Sequence, residues 1–85
     1  METKIMFERG NLFTGYPYGV EAELAFDCSE LHGPFSSENQ ANTYMHKLVE
    51  GEATRYVSVK VVRIETPQAG RHIVRVDGVY VYAGE

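Results

Sequence analysis

A single cysteine, Cys28, leaves the chain without an internal disulfide, so its stability must come from packing, and a reducing compartment suits it. No apolar run approaches the roughly 20 residues needed to cross a bilayer, and the start Met1-Glu2-Thr3 lacks the basic character of a signal peptide. A cytoplasmic protein is expected. Basic residues are scarce too: 8 Lys and Arg against 12 Asp and Glu give a net charge of −4. That balance argues against direct nucleic-acid binding, which needs cations to displace the counterions of phosphates. No Gly-rich phosphate loop, HExxH or GxSxG motif occurs, nor any internal repeat or low-complexity stretch. Neither an enzyme nor a cofactor is therefore expected.

What remains is ordinary globular composition, 44% hydrophobic and 24% charged. At 85 residues the chain is expected to be one domain, 1–85, with one core. Its acidity is local. Residues 1–51 carry three basic and eight acidic side chains, net −5, whereas residues 52–85 carry five and four, net +1.

Periodicity predicts the elements. Lys4–Glu8 reads as a strand turning at Gly10-Asn11 into Leu12–Thr14, and Gly15–Gly19 reads as a loop. From Val20 to Asp27 the pattern alternates, with Val20, Ala22, Leu24 and Phe26 on a core face and Glu21, Glu23, Ala25 and Asp27 on a wet one. Cys28–Pro34 is expected to cross to a helix, the Gly-Pro pair ending strand pairing. Ser37-x-x-Gln40 fits a capping box, and Ala41, Tyr44, Met45, Leu48 and Val49 make an apolar stripe that Gly51 ends.

Arg55–Glu65 is a strand whose apolar phase slips between Val61 and Val62, which predicts a bulge there. Thr66–Gly70 is a turn. Asp77-Gly78 then marks a hairpin pairing Val76 with Val79, Arg75 with Tyr80, Val74 with Val81 and Ile73 with Tyr82. The four valines are expected to face the helix, leaving Ile73, Arg75, Tyr80 and Tyr82 on the other side. The predicted class is α+β, an antiparallel twisted sheet with one amphipathic helix in the order β-β-β-α-β-β-β. An OB-like small barrel is the alternative.

Candidate sites follow. Cys28 and His32, with His46 or His72, contain ligand types for a metal or a Cys-His pair. Zinc needs three or four convergent ligands, however, so an inert thiol and scattered surface histidines are the expected reading. Glu21 and Glu23 stand two residues apart on a strand, roughly 6.8 Å, close to a phosphate repeat. With Asp27 and Glu30 they form a candidate row competing for a basic groove on a nucleic-acid-handling protein. Tyr16 and Tyr18, flanking Pro17, add a candidate hot spot. Ile73, Arg75, Tyr80 and Tyr82, with Lys60 nearby, make an alternative aromatic interface suited to a homodimer or adaptor contact.

From Ser36 onward, the short helix, Gly51, Val62-Arg63-Ile64-Glu65-Thr66 and the final Asp77-Gly78 hairpin resemble small phage-encoded anti-CRISPR proteins. That resemblance implies a phage or mobile-element protein that blocks a host nucleic-acid-handling complex by binding it. The expected function is thus a protein-binding inhibitor directed at a basic partner surface, with a homodimeric or adaptor module as the alternative.

Overall fold

Each core-facing stretch of this chain has a partner, but the pairings differ from those that chain proximity suggests. The computed structural model describes residues 2–52, 54–65 and 68–84. Within them run β1 (Glu2–Phe7), a 3-10 helix (Arg9–Phe13), β2 (Tyr18–Glu23), β3 (Cys28–Phe35), α1 (Glu38–Glu52), β4 (Ser58–Glu65), β5 (His72–Val76) and β6 (Val79–Ala83). The order β-β-β-α-β-β-β and the α+β class hold, while the third strand is Cys28–Phe35 and Leu12–Thr14 is not a strand. The expected turn residues Thr66 and Pro67 lie outside the described residues.

The six strands form one sheet, β1-β3-β2-β4-β6-β5, curled until it nearly closes into a barrel. It is mixed rather than antiparallel: β1 runs parallel to β3, and β4 runs parallel to β6. The expected N-terminal hairpin fails because Asn11 and Thr14 donate to nearby carbonyls, Glu8 O at 3.0 Å and Asn11 O at 3.2 Å. Those bonds wind the segment into a 3-10 turn that carries Leu12 into the core. Gly-Pro does not end β3; pairing continues to Phe35, which faces Tyr18 across a register shift in β2.

Register decides which residues share a face. Glu21 lies opposite Leu31 and Lys60, Ile5 opposite Leu31, Ile64 opposite Tyr80, and Ile73 opposite Tyr82. These line the concave interior, where Leu31, Ile64, Tyr80 and Tyr82 form a buried cluster with Ile5, Phe7, Leu12, Val62 and Ile73 against it. The Gly70 N–H donates to Leu12 O at 3.3 Å, closing one end. A Cβ at Gly70 would overlap the Ala83 backbone, so only glycine permits that approach.

Helix α1 covers the convex face over β2, β3 and β4. Its start keeps half of the expected box: Ser37 Oγ accepts the Gln40 N–H at 3.2 Å, but Gln40 Oε1 accepts from the N–H of Ser36, one residue earlier, at 3.2 Å. The helix runs one residue past Gly51.

Two expectations change because the sheet is covered on both faces. No bulge interrupts β4, whose pairing with β2 is continuous from Ser58 to Arg63. Val59 and Val61 belong to the helix side while Val62 and Ile64 belong to the interior, so the apolar phase slip marks a strand shared by two layers. The β5–β6 register is as expected, with Asp77 at φ 52° and Gly78 at φ 80° in the turn. Its burial is inverted: Tyr80 and Tyr82 are 4% and 7% exposed, while Val74, Val76 and Val79 are exposed. The valines do point to the helix side, but α1 lies over β2, β3 and β4.

Candidate protein-binding interface

Glu21 and Glu30, both expected in one solvated row, are each 6% exposed and lie on opposite faces of the sheet. Glu21 points into the interior, where the Tyr80 hydroxyl donates to its Oε2 and Lys60 Nζ stands 3.6 Å from Oε1. Burial and this bond to Glu21 raise the Tyr80 phenol above its ordinary value. Tyr82 donates to Tyr16 O at 2.8 Å, and burial pushes its phenol up to about 12. The aromatic interface of Ile73, Arg75, Tyr80 and Tyr82 therefore does not exist as an exposed face. Ile73 and both rings build the interior, while Arg75 stays exposed with its guanidinium 5.5 Å from the Tyr80 ring centre.

Glu30 lies under the helix side with His32, which is buried rather than on the surface. His32 Nε2 donates to Glu30 Oε1 at 2.9 Å, Tyr56 to the same oxygen at 3.0 Å, and Arg55 Nη2 to Oε2 at 3.0 Å. In the neutral ring Nδ1 then accepts from the Tyr44 hydroxyl at 2.8 Å. Burial by itself would raise the Glu30 carboxyl. The His32 and Tyr56 hydrogen bonds and the Arg55 charge outweigh it and hold the group below the ordinary carboxylate range.

Hydroxyl, imidazole and carboxylate in series are the connectivity of a catalytic triad. Here the carboxylate is shared by three donors, and the cleft of about 450 Å³ beside Tyr44 is bordered by neither Glu30 nor His32. The network ties α1 and residues 55–56 to β3. Cys28 is half-buried, its thiol 3.6 Å from Phe26 O, and no metal-ligand group of three occurs among the described residues.

Sequence reasoning also misplaced Phe26. Strand β2 ends at Glu23, and the Leu24 N–H donates to Cys28 O at 2.8 Å, closing a loop of Ala25, Phe26 and Asp27. Phe26 has φ 64° and Asp27 φ 59°, both left-handed. Asp tolerates this region; for Phe the Cβ clash costs about 1–2 kcal/mol. The ring gains no burial in exchange, being 95% exposed. Around it stand carboxylates: Asp27 exposed, Glu23 half-buried, and exposed Glu2, whose N–H donates to Asp27 O at 3.1 Å. The one available signal was Asp27, a turn former inside an alternating run.

The predicted partner-binding residues thus separate. Glu23 and Asp27 converge at the β2–β3 tip, and Glu21 and Glu30 are internal. Exposed Tyr16 and half-buried Tyr18 lie at the other end of β2, roughly 17 Å away along the strand. No known protein family, curated protein or solved structure matches the chain.

Proposed function

We propose that the chain is a non-enzymatic protein-binding module that inhibits its partner by occupancy. It seats Phe26 in an apolar pocket whose rim is basic. The observation that carries this reading is a fully exposed aromatic ring on strained backbone. Strain without local compensation belongs to residues kept for contact, and a rigid aromatic surrounded by charge is the composition of a binding anchor. Glu2, Glu23 and Asp27 supply the complementary rim, which steers association toward cationic surfaces. A nucleic-acid-handling complex of the kind implied by the anti-CRISPR resemblance offers such a surface, one that phosphates would otherwise occupy.

Phe26→Gly separates binding from folding. It should stabilise the fold by about 0.5–1 kcal/mol, since glycine relieves the left-handed strain. It should also abolish capture of a host protein that the parent retains in a pull-down at matched salt. Asp27→Lys should weaken the same capture. Loss of stability in Phe26→Gly, or retention of the partner by both variants, sinks the reading.

A further inference from the structure

A second surface, independent of the Phe26 tip, lies at the far side of the sheet. The strand order leaves two edges, β1 and β5, that do not pair with each other among the described residues. They are protected differently. Along β1 the exposed positions are Glu2, Lys4 and the apolar Met6, and the two charges are of the kind that discourage a further strand. Along β5 they include Val74 and Val76, and Val79 of β6 adjoins them beyond the reach of α1. This edge also exposes His72 and one charge, Arg75, and it is regular and free of proline or bulge.

Its surroundings are basic. Arg71 precedes the strand and Arg75 lies within it. Lys60, Arg63 and Arg75 border a cavity of about 270 Å³ that also holds the carboxylates of Glu21, 3.6 Å from Lys60, and Glu65. The exposed acids near them are Glu65 and Asp77. We infer that β5 is a strand-addition site for an extended acidic segment of another protein, one alternating apolar residues with Asp or Glu. Backbone pairing would lengthen the sheet, the apolar residues would lie beside Val74 and Val76, and the carboxylates would meet the basic rim. A second copy of this chain is the poorer occupant, because antiparallel self-pairing of β5 centred on Val74 sets Arg75 against Ile73 and His72 against Val76, and so brings no carboxylate opposite Arg75.

The probe is a fluorescein-labelled ten-residue peptide alternating valine with glutamate, and its control carries lysine in place of glutamate. Anisotropy titrations of the full chain should show saturable binding of the acidic peptide and none of the lysine peptide. Val74→Glu should weaken binding about tenfold and Arg71→Glu several-fold, while Met6→Glu at the opposite edge leaves it unchanged. Circular dichroism checks that each variant is folded. In amide exchange, peptide should slow the β5 amides. Four results overturn the proposal: no binding of the acidic peptide at millimolar protein, equal binding by Val74→Glu, preference for the lysine peptide, or β5 protection that rises with protein concentration alone. The last would assign the edge to a homodimer.

Discussion

Glu21 and Glu30 are two buried carboxylates nine residues apart in one sheet, and they are held in opposite ways. Glu30 receives donors from His32, Arg55 and Tyr56, drawn from β3 and from the segment that follows α1. Glu21 receives the Tyr80 hydroxyl, with Lys60 at a loose 3.6 Å. The difference extends to their layers. The interior is closed by fully buried Leu31 and Ile64, whereas on the helix side Val20, Ala22 and Ala41 are fully buried but the helix's own Tyr44, Met45 and Leu48 are only half-buried. The interior layer coheres by apolar packing; the helix layer leans on a charged polar clamp.

Large-to-small substitution puts that contrast to its hardest test. Leu31→Ala should destabilise by about 3–5 kcal/mol, as for a fully enclosed leucine. Leu48→Ala, at a half-buried position on helix α1 itself, should cost only about 1–2 kcal/mol because solvent reaches part of the vacated space. Denaturant unfolding of both variants measures the difference. If Leu48→Ala proves the more damaging, the helix layer is the true core and the comparison is inverted.

Charge removal should rank the layers the other way. Glu30→Gln leaves three donors facing a poorer acceptor and should cost about 2–3 kcal/mol, against about 1 kcal/mol for Glu21→Gln. The same clamp sets an acid limit. A carboxyl held below its unfolded value contributes stability that is fully present above the ordinary carboxylate range and is lost as pH falls through the folded value. The interior sets an alkaline limit. Tyr82, raised from 10.0 to about 12, contributes stability that is present below 10.0 and is lost as pH rises through about 12. Unfolding free energy measured against pH should therefore lose part of its acid slope in Glu30→Gln and part of its alkaline slope in Tyr82→Phe. Unchanged slopes in both variants would separate these groups from the pH response.

Much of the fold was legible wherever local chemistry decides it. The Ser37 cap, the helical stripe as far as Leu48 and the Asp77-Gly78 register rest on contacts within a few residues and appear as expected, while Val49, at the end of the stripe, is exposed. What sequence reading missed depends on layers. Alternation shows that two faces differ, not which is covered, so Tyr80 and Tyr82 were assigned to solvent and Glu21 with them. The Cys28–Phe35 strand hid its pattern because its helix-side positions, Glu30 and His32, are polar yet buried by mutual hydrogen bonds. Of the candidate interface, Asp27 and Glu23 were found. Phe26 was not, since a phenylalanine in phase with Val20 and Ala22 reads as core, and only the left-handed backbone reveals that the strand has already ended.

The valine face of the β5–β6 hairpin provides the finest discrimination between layers. By sidedness it belongs with the helix-covered core; by cover it belongs to neither, because α1 lies over β2, β3 and β4. Val76→Thr keeps the β-branched shape that suits an extended backbone and exchanges a methyl for a hydroxyl that water can reach. At a core position that exchange leaves a hydroxyl unsatisfied and costs about 1–3 kcal/mol. At an exposed edge it should change stability by no more than about 0.5 kcal/mol. A midpoint shift in urea equivalent to more than 1 kcal/mol would show that Val76 is covered in solution. The hairpin would then have to be buried by something beyond the folded chain, and concentration dependence of that shift would identify a second copy as the cover.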